Sequence, residues 1–92
     1  MFCSNFIFTG HAIERMFSRS ISIDNTKYAI EHGEIFFEYP NDKPYPSFLI
    51  LGFVNQRPIH IVLGKSKLDV CVIITVYEPD KNIWNDDFKS KK

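Results

Sequence analysis

The stretch that decides the fold is "SFLILGFVNQRPIHIVLGKSKLDVCVIITVY", residues 47–77. It contains three apolar runs rich in β-branched residues, at 47–54, 57–64 and 69–77. Such runs, separated by the short polar segments "NQ" and "KSKL", are typical of strands joined by tight turns. Upstream, "EIFFEY" at 34–39 predicts one more strand, which the proline-containing loop "PNDKPYP" joins to the first run. The stretch therefore predicts an antiparallel meander.

A helix is predicted to begin after Thr9. The apolar residues of "TGHAIERMFSR" (9–19) fall on one stripe at helical spacing: Ala12, Ile13, Met16 and Phe17. Thr9 is the expected N-cap, because its side chain can accept a hydrogen bond from a free N–H of the first turn. Phe8 and Ile13 then occupy the two positions of a hydrophobic staple.

A second helix is predicted to begin at Ser22 or Asp24 and to end at Gly33, as a left-handed C′ residue. Two helices followed by four strands predict an α+β fold, in which two N-terminal helices pack on a four-stranded antiparallel meander sheet. Since several strands are apolar on both faces, the other face is expected to be a second packed layer or a partly open binding surface. The 92 residues are expected to form a single domain (1–92), with a frayed tail at about 85–92.

The composition narrows the classes of function. Eleven basic and eleven acidic residues leave no net charge, so bulk charge does not indicate nucleic-acid binding, which would need a local basic patch. The longest apolar stretches are about eight residues, far below the roughly 20 that cross a bilayer. The N-terminus has no basic region of the kind that signal peptides carry. We therefore expect a cytoplasmic protein without a membrane partner.

The cysteines and carboxylates indicate neither a disulfide nor a metal site. Cys3 and Cys71 are far apart in the sequence and form no Cys-x-x-Cys pattern, which indicates two free thiols in a reducing compartment. Cys71 lies within the last strand and is expected to be buried. The carboxylates lack metal-ligand spacing, and no glycine-rich phosphate loop occurs. We expect no metal and no cofactor.

Three polar residues follow one another at intervals of four along the polar edge of the first helix: His11, Arg15 and Arg19. Two guanidinium groups on one edge can hold a phosphate, and a neutral imidazole near a helix start can act as a base. The alternative is a boundary histidine with two solvated arginines, one of them paired with a carboxylate such as Glu38. Taken alone, the spacing favours this alternative.

A second polar group is predicted on the last two strands. Closing the "KSKL" turn tightly places His60 opposite Ile73, and a two-residue "NQ" turn places it opposite Leu51. Because side chains alternate along a strand, His60, Thr75 and Tyr77 then share one face of the sheet. A lone histidine in a strand is usually structural, whereas three polar side chains among apolar ones indicate a site.

The order of the motifs resembles a known family. "TGHAIERMFSRSIS" (9–22), "AIEHGEIFFEYP" (29–40), "IHIVLG" (59–64) and "VIITVYEPDKNIW" (72–84) resemble the small bacterial family catalogued as domain of unknown function 4258. Members open with a His-Ala-x-x-Arg-x-x-x-Arg helix and close on a strand that reads Ile-Thr-Val-Tyr. The resemblance covers nearly the whole chain, and the ordered set of motifs is more specific than any one of them.

That family is similar to small ribonuclease toxins of the RelE, barnase and colicin nuclease type. The resemblance implies an RNA substrate, an antitoxin protein as partner, and metal-independent cleavage in which the 2′-hydroxyl attacks the adjacent phosphate. It implies phosphate binding by Arg15 and Arg19, with Arg15 also acting in catalysis, and acid or base work for His11. Thr75 and Tyr77 would orient the substrate, and His60 would be the second acid or base.

A different class of function also fits the sequence. A non-catalytic binding or protein-interaction module could use the same histidine and arginines as an anion site or as a structural salt-bridge network. Such a module could be a homodimer, joined through an exposed strand edge or through "PNDKPYPSF" (40–48). The arrangement of the candidate residues in space separates the two classes.

Overall fold

A computed structural model describes all 92 residues and contains five strands and two helices. In chain order the elements are β1 (Asn5–Phe8), α1 (Gly10–Ser18), α2 (Ile23–His32), β2 (Glu34–Tyr39), β3 (Ser47–Val54), β4 (Arg57–Lys65) and β5 (Val70–Tyr77). The strands form one sheet in the order β1-β5-β4-β3-β2. Neither helix is long and apolar enough to cross a membrane.

The prediction of a four-stranded antiparallel meander sheet is wrong, because the sheet has a fifth strand and is mixed. β1 pairs in parallel with β5, from Asn5 opposite Val70 to Phe8 opposite Ile73. The sequence "NFIF" is too short for its period to be recognised, and Phe8 also fits the staple of the following helix. β1 therefore covers the edge of β5 that a meander would leave open.

A disulfide joins Cys3 to Cys71, so the prediction of two free thiols is also wrong. The two Cα atoms are 5.6 Å apart, although 68 positions separate the residues in the sequence. Only the parallel pairing of β1 with β5 brings the cysteines together, and that pairing was not foreseen. Cys71 is fully buried, as expected for its strand. The disulfide fixes the start of the chain to the sheet.

Helix α1 begins where it was predicted to begin. Thr9 has extended backbone, and its Oγ1 accepts a hydrogen bond of 3.1 Å from the N–H of Ala12. The same hydroxyl donates to the carbonyl oxygen of Ile73 at 2.9 Å, so the N-cap also ties α1 to β5. Met16 is buried, whereas Phe17 is 88% exposed, so the apolar stripe is narrower than predicted. The polar edge of α1 is thereby held beside β5.

Helix α2 begins after its N-cap Ser22, whose Oγ accepts a hydrogen bond of 2.9 Å from the N–H of Asn25. It ends at Gly33, which has φ −81° and ψ 177°, so the expected left-handed conformation is wrong. A Cβ atom on Gly33 would lie 2.4 Å from the carbonyl oxygen of Ala29 and 2.7 Å from that of Leu51. Glycine is required here by the close approach of α2 to β3, not by its backbone freedom.

The two helices cover one face of the sheet, and the chain after β5 covers part of the other. The buried core between helices and sheet includes Ala12, Met16, Ile30, Ile50, Ile59, Ile61, Leu63, Ile73 and Val76. Residues 79–92, here called the C-terminal segment, fold back over the opposite face. The ring of Trp84 packs edge-on against the ring of His60, with centroids 4.6 Å apart. This face is therefore partly a packed layer.

The pairing of β4 with β5 differs from the prediction but preserves the predicted face. His60 lies opposite Tyr77 and not opposite Ile73, a displacement of four residues along β5. Part of this displacement comes from Ile74, which has no partner on β4 and forms a bulge. Because side chains alternate with period two, an even displacement leaves His60, Thr75 and Tyr77 on the same face.

The β3–β4 hairpin closes as predicted. Asn55 and Gln56 form its two-residue turn with φ of 51° and 68°, the left-handed conformation that such turns require. This turn places His60 opposite Leu51. One neighbour of the histidine is therefore an apolar side chain of β3 and the other is Tyr77 of β5.

Candidate functional site

A pocket of about 330 Å³ lies between α1 and the end of β5. Five of the six site residues predicted from the sequence line it: His11, Arg15, Arg19, Thr75 and Tyr77. Glu78, Asp80, Ile83 and Trp84 complete the lining. The sixth predicted residue, His60, is not part of it. The polar edge of the helix and the polar face of the sheet thus meet in one cleft.

Arg15 and Arg19, on the polar edge of α1 and at its C-cap, form no ion pair with the protein's own carboxylates. His11, Arg15 and Arg19 are exposed and lie one turn apart on the same edge, as their spacing of four requires. The chain's ion pairs involve other residues: Arg57 with Glu78, Lys65 with Asp69, and Lys89 with Glu34. The pairing with Glu38 that the alternative interpretation proposed is not formed. The two guanidinium groups are available to a ligand.

A third arginine fixes the end of α1 and neutralises a carboxylate of the pocket. Arg57, the first residue of β4, donates from Nε to Glu78 and from Nη2 to the carbonyl oxygen of Arg19, the C-cap of α1. With Glu78 paired, the formal charges facing the pocket are those of Arg15 and Arg19 against Asp80. Two positive charges and one negative charge leave an excess of one positive charge, although the whole chain is neutral.

His60 lies behind Tyr77 and is fully buried. Its Nδ1 is 3.1 Å from the hydroxyl oxygen of Tyr77, and its Nε2 is 2.6 Å from the carbonyl oxygen of Phe88. A carbonyl oxygen can only accept, so Nε2 carries a proton. Burial lowers the pKa of His60, against the opposing effect of the Phe88 hydrogen bond, and keeps the ring neutral. Nδ1 therefore accepts the hydroxyl proton of Tyr77.

Tyr77 separates the pocket from this buried histidine. Burial raises the pKa of Tyr77, and Tyr39 adds to the increase, so the phenol stays protonated at neutral pH. The rings of Phe36 and Trp84 pack against His60 with centroids 4.9 Å and 4.6 Å away. The back wall of the pocket is consequently an aromatic cluster in which one hydrogen bond holds the phenol in place.

Five residues of the site were not predicted from the sequence: Glu78, Asp80, Ile83 and Trp84, which line the pocket, and Arg57, which pairs with Glu78. Glu78 and Asp80 follow Tyr77 directly in "YEPD", and residues just past a strand end commonly carry function, so this signal was present. Arg57 gave no such signal, because 21 positions separate it from Glu78. Trp84 was part of the motif "VIITVYEPDKNIW" but was not predicted to line a pocket.

The free energy of unfolding is expected to decrease as the pH falls below about 6.5, the ordinary pKa of histidine. In that range the unfolded chain protonates His60, whereas the folded chain, with its lowered pKa, does not. The stability that the neutral His60 ring contributes is therefore complete above pH 6.5. It is lost as the pH falls towards the pKa that His60 has in the folded protein.

Urea unfolding of the wild type and of His60→Gln, from about pH 8 to about pH 5, measures this contribution. The two proteins differ only at this position, so the difference between the two curves isolates the contribution of His60. The wild type should lose more stability across the range. Equal slopes for the two proteins would contradict the assignment of a neutral buried ring.

The family comparison gives a match over most of the chain. Residues 8–78 match the family described as Domain of unknown function (DUF4258). The match runs from the end of β1 to Glu78, just past β5, and contains the five predicted pocket residues, while Cys3 and the C-terminal segment lie outside it. No curated protein and no solved structure matched the chain, so the expected similarity to RelE, barnase and colicin nuclease toxins gains no support. With 71 of its 92 residues matched, the chain belongs to the domain of unknown function family DUF4258.

Proposed function

We propose that the protein is a metal-independent endoribonuclease of the toxin type, active on RNA in the cytoplasm and neutralised by an antitoxin protein. The observation that carries the proposal is the meeting of one histidine, two unpaired arginines and two hydroxyl side chains in a single pocket. The excess of one positive charge at the pocket favours an anionic ligand, although the whole chain carries no net charge.

The chemistry of RNA cleavage gives each of these groups a task. The 2′-oxygen attacks the adjacent phosphorus, the bond to the 5′-oxygen breaks, and a cyclic phosphate and a 5′-hydroxyl result. Negative charge builds up on the phosphate oxygens, where Arg15 and Arg19 would stabilise it. The 2′-hydroxyl would lose its proton to solvent water as its oxygen attacks, and His11 would give a proton to the departing 5′-oxygen and regain one from solvent. Thr75 and Tyr77 would orient the nucleotide.

Replacing the helix residues tests this proposal. His11→Ala and Arg15→Ala should each reduce RNA cleavage by about 100-fold or more, because each removes a proton-transferring or charge-stabilising group. Expression of the wild type should arrest growth, and both variants should relieve the arrest. His32→Ala is the matched control, since His32 is also exposed but lies at the end of α2 beside Tyr28. Intact RNA and normal growth under strong induction of the wild type would refute the proposal.

A non-catalytic module that binds an anionic ligand, alone or as a homodimer, is the second candidate. It is favoured by the burial of His60, which leaves His11 as the one imidazole lining the pocket. General acid–base cleavage commonly uses two proton-transferring groups. Under this function, inorganic phosphate would shift the NMR signals of His11 and Arg15 in the wild type, and Arg15→Ala would abolish the shift while RNA stays intact.

A further inference from the structure

The hydrogen-bonding direction of Tyr77 is fixed by residues outside the pocket. The carbonyl oxygen of Phe88 can only accept, so Nε2 of His60 carries a proton and donates it to this oxygen. The neutral ring then has only a lone pair on Nδ1, and this lone pair takes the phenol proton of Tyr77. The first of these hydrogen bonds fixes the direction of the second. The phenol proton of Tyr77 is therefore donated to His60 and is not available to a ligand in the pocket.

Packing prevents the hydrogen-bonded pair of Tyr77 and His60 from rearranging. His60 has no exposed surface, and its ring packs against those of Phe36 and Trp84, which also contact each other. Rotating the imidazole would break both of its hydrogen bonds inside the protein, and each unsatisfied buried group costs about 1–3 kcal/mol. The Tyr77 oxygen makes no other hydrogen bond to the protein, so its remaining lone pairs are open to a ligand.

We infer that Tyr77 accepts a hydrogen bond from a ribose hydroxyl of the ligand, with His60 as the positioning residue that holds it in this role. The inference rests on the proposed function for the nature of the ligand. An oxygen that can only accept gains nothing from a phosphate oxygen, which also only accepts. It requires a donor, and the donor next to a phosphate held by Arg15 and Arg19 is the 2′-hydroxyl.

The pair therefore gives the pocket a means of distinguishing RNA from DNA. The 2′-hydroxyl is the group by which proteins tell the two nucleic acids apart at a given position. A phenol free to rotate would donate to the phosphate and bind both sugars alike. His60 removes that option, although it never touches the ligand itself.

Binding of nucleotides that lack a scissile bond tests the inference without cleavage. The probes are the four ribonucleoside 3′-monophosphates and their 2′-deoxy counterparts, titrated calorimetrically. The wild type should bind the ribose forms about tenfold more tightly, the difference that one hydrogen bond makes. Tyr77→Phe, which keeps the ring, should bind both forms equally. Failure of all eight probes to bind, or equal binding of the two sugars by the wild type, would overturn the inference.

Two variants of His60 separate positioning from a purely structural role. In His60→Asn the amide oxygen lies near the position of Nδ1 and still accepts from Tyr77, so the preference for ribose should persist. In His60→Gln the amide nitrogen lies near the position of Nε2 and still donates to Phe88, so the preference should be lost. If both variants lose the preference equally, in parallel with their thermal stability, His60 is structural only.

These measurements also stand apart from the proposed ribonuclease activity. Ribose preference without RNA cleavage would uphold the inference and refute the enzyme. Cleavage without ribose preference in binding would uphold the enzyme and refute the inference. Nitrogen NMR of the imidazole gives a further check, since a proton on Nδ1 at neutral pH would contradict the acceptor role of His60.

Discussion

Removal of the Cys3–Cys71 disulfide is expected to lower the free energy of unfolding by about 4 kcal/mol. The bridge closes a loop of 68 positions, and the unfolded chain gains the conformational freedom that the loop had withheld. The effect grows slowly with loop length, from about 3 kcal/mol for 15 residues to about 4.7 kcal/mol for 100. Because small domains are stable by about 5–15 kcal/mol, this is a large share of the total.

Cys3→Ala is the cleanest variant, because it leaves the buried Cys71 side chain in the core. Urea unfolding should show the loss in Cys3→Ala and an equal loss in the wild type when a reductant is added. The variant itself should not respond to the reductant. A wild type whose unfolding is the same with and without reductant would contradict the assigned contribution.

The same bridge bears on the compartment in which the protein works. Disulfides persist in oxidising compartments, whereas the cytosol keeps thiols reduced. In the proposed cytoplasmic setting the protein would therefore have the stability of its reduced form. The pocket does not contain either cysteine, and the Thr9 hydroxyl still ties α1 to β5 through the Ile73 carbonyl. Nucleotide binding is accordingly expected to survive reduction.

Gly33→Ala is expected to destabilise the fold by about 3 kcal/mol or more. The new methyl group would lie 2.4 Å from the carbonyl oxygen of Ala29 and 2.7 Å from that of Leu51. Both are backbone atoms, anchored in α2 and β3, so neither can rotate away as a side chain would. The φ of −81° is ordinary for alanine, and the whole penalty comes from the lack of space.

Gly10→Ala is the matched control for this prediction. A Cβ atom on Gly10 would meet no atom within 4 Å, and the residue lies in α1, where alanine is favoured over glycine. Its stability should be unchanged or slightly higher in thermal unfolding. If Gly33→Ala unfolds at the same temperature as Gly10→Ala, the close approach of α2 to β3 does not require glycine at position 33.

Elements that depend on local signals were predictable from the sequence. The Thr9 cap and the two-residue turn at 55–56 are each encoded within a few neighbouring residues, and both are confirmed. The strands from β2 to β5 also have nearly their predicted bounds, since period two and turn residues are visible in a short window. The shared face of His60 and Tyr77 was correct because the displaced register differs from the predicted one by an even number of residues.

Features that depend on distant partners were not predictable in this way. β1 has four residues and becomes a strand only through β5, more than 60 positions later. The position of His60 behind Tyr77 depends on the C-terminal segment, whose last residues, from about 85, were predicted to be frayed. Its Phe88 carbonyl and Trp84 ring turn a residue on a candidate binding face into a buried one. A single sequence contains no local trace of either contact.

The pairing of the first strand with the last one has a consequence for how the protein is made. Contacts between opposite ends of a chain raise its contact order, and domains of high contact order fold slowly. During synthesis, β1 and α1 leave the ribosome first but have no partner until β5 has been made. Because the pocket lies between α1 and β5, it cannot form before β5 has been made. A nascent chain that ends before β5 would contain His11, Arg15 and Arg19 but would have no pocket.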